Sequence, residues 1–296
     1  MSPTALERLA LYFGVMRTRQ GILARAALGT PGTGDQALAQ ELAASLAAEL
    51  RPDGTIMGGA VPTIWRAHEL LDLGGGAADP TLATLLAWLM GRQGQPGAYG
   101  EGCDKARHAQ RVCEHWVRGF FSPAPVEVRM APITLPNGKA FRVEWPARFA
   151  ISCLGLRAVL RAGLGDRAGP AQHLESLRLL AEQWTSWNDG SFVPDVMVTG
   201  LHTLALGGPT ARASAEQLVG MIAAHQTPDG LWPNADLFAT LEALHATGLE
   251  AARTAVGRAL PALAERQRAD GTFGAMAQQE RALIALRAFR WADSEA

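Results

Sequence analysis

The feature that most constrains this chain is a short phrase it repeats. A helix-compatible stretch runs into Gln or Trp, then an Asp-Gly pair, an aromatic or other apolar residue, and a second apolar stretch. Three copies are clear: Trp187-Asn188-Asp189-Gly190-Ser191-Phe192, Gln226-Thr227-Pro228-Asp229-Gly230-Leu231-Trp232 and Gln267-Arg268-Ala269-Asp270-Gly271-Thr272-Phe273. Two looser copies precede them, Arg51-Pro52-Asp53-Gly54-Thr55-Ile56 and Gln93-Gly94-Gln95-Pro96-Gly97-Ala98-Tyr99. The spacing is about 40 residues, the range of stacked supersecondary units that bury their apolar faces only against neighbours.

Between the turns the apolar residues recur at helical spacing. Residues 4–28 read as one helix, with Leu6, Leu9, Leu11, Val15, Ile22 and Leu23 on a stripe, closed by Gly29, Pro31 and Gly32. Helices then follow at 35–50, with Gly34-Asp35 as its N-cap, at 62–73, closed by Gly74-Gly75-Gly76, and at 80–92, where Asp79-Pro80 make a cap and first-turn pair. Residues 103–119 also read as helical. The pattern changes at 126–130 and 140–144, which alternate apolar and polar around Pro136-Asn137-Gly138 and predict a β-hairpin insertion at about 120–145. Helices resume at 146–162, 170–185, 194–206, 210–225, 234–247, 250–267 and 275–290.

The order is outer helix, Asp-Gly turn, inner helix, glycine stop, next outer helix. It predicts an all-α fold, an α/α toroid of five to six helical hairpins with an inserted β-hairpin, as a single domain over residues 1–296. An open solenoid would need polar capping repeats, and the apolar first helix argues for closure instead. Hydrophobic residues are 48% of the chain and charged residues 19%, which suits a double layer with a buried inner wall.

A net charge of −1 gives no footprint for nucleic acid and does not indicate a membrane surface. Apolar runs are interrupted well before the ~20 residues of a membrane span. Glu7, Arg8, Arg17 and Arg19 break any signal-peptide layout, and Cys103, Cys113 and Cys153 do not make a disulfide scaffold. The expectation is a cytoplasmic protein. Oligomeric state is not legible.

The tandem helix–Gln-x-x-Asp-Gly-x-aromatic–helix units resemble those of the terpenoid-cyclase and protein-prenyltransferase toroid superfamily. The segments from Gln226 to Trp232 and Gln267 to Phe273 are similar to the repeats of squalene–hopene-type cyclases. In this reading the Gln caps the outer helix, Asp-Gly makes the turn, and the aromatic wedges between hairpins. The resemblance implies an apolar, isoprenoid-type small molecule held in the lumen. Class II cyclases protonate an alkene with Asp-x-Asp-Asp-Thr. Here Asp195 and Thr199 fit that motif, while Met197 and Val198 stand where the other carboxylates belong. No Asp-Asp-x-x-Asp/Glu cluster for magnesium occurs. Cys103-Asp104 reverses the prenyltransferase zinc pair, so the sequence names no metal and no cofactor.

The glycine stops align the inner helices. Six residues before Gly74, Gly163, Gly208 and Gly248 stand His68, Arg157, His202 and Glu242, four polar residues in one register. The expectation is a lumen-facing ring, with Asp195 as acid, His202 as its orienting partner, and Glu242 and His68 as further acid–base groups. Trp65 and Thr199, one turn earlier on their helices, and Arg157 join as substrate-binding candidates. A helix-end position near solvent explains the same residues by dipole alone.

A second constellation spans Cys103 to Trp116. On a helix its cysteines would be ~15 Å apart and its histidines ~10 Å apart, too far for one zinc ion. Asp104, His108, Arg111 and His115 instead make a polar stripe that, with Trp116, is a candidate ligand surface. Three functions remain open: an isoprenoid cyclase or prenyltransferase-like enzyme, a non-catalytic toroid binding a lipid or protein, and a metal-dependent enzyme using residues 103–115.

Overall fold

The computed structural model describes residues 4–91, 130–187 and 194–293. The first helices are α1 (Ala5–Gly14), α2 (Arg19–Leu28), α3 (Asp35–Ala48), α4 (Ala60–Asp72) and α5 (Pro80–Gly91). Strands β1 (Ile133–Thr134) and β2 (Ala140–Phe141) precede α6 (Glu144–Arg161), α7 (Ala168–Ala181) and α8 (Pro194–Leu204). A 3-10 turn (Gly208–Ala211) leads to α9 (Arg212–Ala224), α10 (Leu237–Thr247), α11 (Glu250–Glu265) and α12 (Gln278–Asp293).

The even-numbered helices form an inner ring in chain order, each packed on the next, and α12 packs back on α2. The odd-numbered helices form the outer layer. Among the described residues this is an all-α toroid of six helical hairpins with a two-stranded sheet.

The repeated phrase explains both the turns and the stacking. Gly54, Gly230 and Gly271 all have left-handed φ, between 81° and 86°. A Cβ on Gly230 would lie 2.2 Å from the carbonyl oxygen of Arg258, so the turn backs directly onto the next outer helix. Gly271 approaches Arg8 in the same way. Asp53 and Asp270 each accept from the N–H and hydroxyl of the threonine two residues on, which closes the turn locally. Trp232 and Phe273 are buried, and the Trp232 indole N–H donates to the carbonyl of Ile222 at 3.0 Å.

The glutamines act differently from the expected caps. Gln226 Nε2 donates to the carbonyls of Gly230 and, on α11, of Ala255, both at 2.8 Å. Gln267 Nε2 donates to Gly271 and to Ala5 on α1, while its Oε1 accepts from Arg8 at 2.8 Å. Each therefore joins its own turn to the following outer helix, and the last one joins the end of the chain to its beginning. The side-chain amide does this because a carbonyl one repeat away is within its reach, whereas the helix end is closed by its own backbone bonds.

Two sequence expectations are corrected here. Residues 4–28 form two helices, because Thr18 is extended and its hydroxyl caps α2 by accepting from Gly21. The hairpin pairs Ile133 with Phe141 and Thr134 with Ala140, close to the Pro136-Asn137-Gly138 turn. Its second strand ends early because Glu144 opens α6, where its carboxylate accepts the N–H groups of Met130 and Ala131. Residues 126–129 lie outside the described residues.

Candidate functional site

All four glycine stops, Gly74, Gly163, Gly208 and Gly248, adopt left-handed φ as a chain leaving a helix requires. The register they define brings His68, Arg157, His202 and Glu242 together on α4, α6, α8 and α10. Arg157 donates to Nδ1 of His202, and Glu242 Oε2 lies 4.0 Å from that same nitrogen. One turn further along, Arg161 donates to Nδ1 of His68 at 3.0 Å, and Nε2 of His68 lies 2.9 Å from the carbonyl of Leu154.

Because a guanidinium only donates, Nδ1 accepts in both imidazoles and each carries its proton on Nε2. Both rings are held neutral. Burial, then Arg157 and Arg161, lower the His68 pKa to about 3. Burial and Arg157 hold His202 well below its ordinary value. Glu242 moves the other way: burial raises its carboxyl above the usual range, against the opposing pull of Arg157. Burial likewise lowers Arg157, with Glu242 opposing.

The hairpin tip reaches this centre. Asn137 Nδ2 lies 3.3 Å from Glu242 Oε2, and the carbonyl of Asn137 accepts from Arg281 on α12 at 3.0 Å. Lys139 pairs with Asp195 Oδ2, while Asp195 Oδ1 accepts the N–H of Asp236 at 2.8 Å. The tip thus contacts α8, α10 and α12. Beneath it lies a cleft of about 20 Å³ lined by Leu135, Asn137, Lys139, Arg157, Asp195 and His202 among others, with Thr199 and Glu242 on its wall. That is room for about one water molecule.

The predicted site residues divide accordingly. Arg157, Asp195, Thr199, His202 and Glu242 line one cleft, and His68 joins through the paired guanidiniums of α6. His202 does not orient Asp195, whose partners are Lys139 and Asp236; its own partner is Arg157. Thr199 donates to the backbone carbonyl of Asp195 at 2.7 Å. Trp65 sits between Arg19, 5.1 Å over its ring, and the His68 ring at 5.7 Å. Asp104, His108, Arg111, His115 and Trp116 lie outside the described residues, as does the whole of residues 103–115, the stretch of the metal-dependent alternative.

Sequence reasoning missed Arg161 and Asp72, although each stands four residues beyond a ring member and therefore on the same face. It also missed Asn137 and Lys139, for which no local signal exists, and Arg19 with Glu280. Arg19 on α2 pairs with Glu280 on α12 at 2.5 Å, with Asp72, and with Glu69 at 3.6 Å. Asp72 also takes Arg161 at 2.6 Å. Burial works against the Arg19 charge, but the three carboxylates outweigh it and hold its pKa above the ordinary value.

The described residues form an α/α toroid around a buried polar centre, and the fold is one that terpene cyclases share. No protein-family model matches the chain, and no curated protein sequence does. Solved structures of the type II terpene cyclase MstE from Scytonema share the fold. A variant in complex with geranylgeranyl dihydroxybenzoate, its substrate, aligns with TM-score 0.56 at 16% identity over 96% of this chain and 86% of that one. A second variant, with its product merosterolic acid A, gives 0.57 at 14% identity over 97% and 96%. The apo enzyme gives 0.55 at 15% identity over 93% and 87%. At these identities the likeness is one of fold. Among the described residues no helix is long and apolar enough to cross a membrane.

Proposed function

We propose that this chain is a terpenoid-cyclase-like enzyme, a single toroid unit over residues 1–296 acting in the cytoplasm. Its ligand is an apolar isoprenoid-type molecule drawn into the lumen, with proton transfer at the cleft beneath the hairpin. The observation that carries this reading is a buried carboxyl group inside a closed helical ring, Glu242, whose pKa burial raises, beside a neutral imidazole, His202. A buried carboxylic acid is the group from which a proton can pass to an alkene or an ether oxygen, leaving Glu242 as carboxylate and a cation on the ligand. The Glu242 carboxylate so formed takes a proton back when the cation resolves, and His202, whose Nδ1 is held by Arg157, positions the cleft wall. Asp195 is the second carboxyl at the cleft, ion-paired with Lys139, and His68, with both nitrogens engaged, positions α6 rather than reacting.

The test is incubation of purified protein with C10 to C20 isoprenoid alcohols, acids and diphosphates, followed by mass spectrometry. The expected product has the mass of its substrate with one alkene fewer, and Glu242→Gln abolishes it. Absence of any such product across the set contradicts the reading. The second reading, a non-catalytic ligand-binding toroid, is favoured by one observation: the hairpin tip leaves only about 20 Å³ of the cleft open. It predicts binding without turnover in the same assay.

A further inference from the structure

Arg157 is a buried cation without a direct ion pair among the described residues, opposed only from a distance by Glu242. Only 8% of the residue is exposed, yet among the described residues no carboxylate lies within 4.0 Å of its guanidinium, whereas the buried Arg19 and Arg148 are ion-paired at that distance. Its one hydrogen-bond partner is a neutral imidazole nitrogen, and its Nε–H has none. A desolvated charge without a direct ion pair costs stability unless a ligand supplies the missing partner. Arg157 lines the cleft, and so does His202, whose Nε2–H makes no hydrogen bond among the described residues.

We propose that this cleft is an oxyanion site: Arg157 and the Nε2–H of His202 bind the carboxylate or phosphate head group of the ligand. A guanidinium edge with a free Nε–H matches two oxygens of such a group, and the imidazole supplies a second donor. Lys139 also lines the cleft from the hairpin, its charge paired with Asp195. A carboxylate is larger than the present cleft, so seating it displaces the Asn137 side chain, whose 3.3 Å contact with Glu242 is long for an amide–carboxylate bond. The proposal deepens the isoprenoid reading by giving the ligand an anionic head. Only the apolar tail depends on that reading; the oxyanion site stands on Arg157.

Calorimetric titration of the full chain with farnesoic acid, farnesyl monophosphate, farnesol, acetate and inorganic phosphate tests it. The expected result is that at least one prenyl anion binds ten-fold or more tightly than farnesol, and that Arg157→Gln removes the difference. The acid and the monophosphate identify which head group the site prefers. Acetate or phosphate binding that depends on Arg157, without binding of any prenyl compound, upholds the oxyanion site and ends the isoprenoid reading. Equal binding of farnesol and both anions overturns the proposal, as does a preference that survives Arg157→Gln, or no binding by any anion. Arg157→Met serves as the control for folding: its melting temperature is expected to equal or exceed the wild-type value, and a large fall would mean that Arg157 is a structural group.

Discussion

Arg19 and Arg157 are both arginines of inner helices, and both are more than nine-tenths buried. Around Arg19, at the seam where α12 meets α2, three carboxylates converge and a tryptophan ring covers the guanidinium. Around Arg157, on the wall of the cleft, the described residues supply one neutral histidine at hydrogen-bond distance and no direct ion pair, with Glu242 acting from farther away. The same side chain is directly ion-paired where the ring must close and left without a direct ion pair where it lines the cleft. The seam is built for stability, and the cleft keeps its polar capacity unspent.

The largest expected effect breaks the seam. Glu280→Ala removes one partner of a buried pair and costs about 3–5 kcal/mol in urea unfolding. A loss below about 1 kcal/mol would mean that Asp72 and Glu69 alone compensate Arg19. Next comes acid sensitivity. His68 has a folded pKa of about 3 against an ordinary 6.5, so the unfolded chain takes up a proton that the folded one refuses. Stability is therefore fully present above pH 6.5 and falls by about 1.4 kcal/mol per pH unit as pH drops toward 3. Unfolding curves at successive pH values should show a shallower slope for His68→Gln, and an unchanged slope would contradict the assignment.

Glu242 carries the opposite sign. Its raised pKa means that the folded state holds its proton longer than the unfolded state does. Stability from this group is present at low pH and is lost as pH climbs from the ordinary carboxylate value through the raised one. Glu242→Gln should flatten the melting-temperature profile over that window, and a profile identical to wild type would remove Glu242 as a protonated acid. The smallest effects concern the repeat itself. Gln226→Ala is expected to cost about 1 kcal/mol in denaturant unfolding, and Gln267→Ala somewhat more, because Gln267 also holds Arg8 and α1. Equal losses would mean that ring closure rests on the seam alone.

The Asp-Gly turns and glycine stops were legible in the sequence because they are local. A left-handed glycine and an Asp-to-Thr hydrogen bond are decided within a few residues, and their period gave the toroid. The register of His68, Arg157, His202 and Glu242 followed from the same stops. What the chain does with these residues was not local. The Arg19–Glu280 pair spans almost the whole sequence, and Lys139 reaches Asp195 from an insertion that the repeat does not encode. The break between α1 and α2 hid behind an unbroken apolar stripe. Thr18, which caps α2, was the available sign. The glutamine was assigned to its own helix end because its true partner, a carbonyl one repeat away, becomes visible only once the outer helices are stacked.

The contrast between seam and cleft is tested most directly by urea unfolding of Arg157→Met beside wild type. A buried cation without a direct ion pair, replaced by an apolar side chain of similar length, should leave stability within about 1 kcal/mol or raise it. A loss of about 3 kcal/mol or more would show that Arg157 is as fully paired as Arg19, and the cleft would then hold no unspent charge for a ligand to meet.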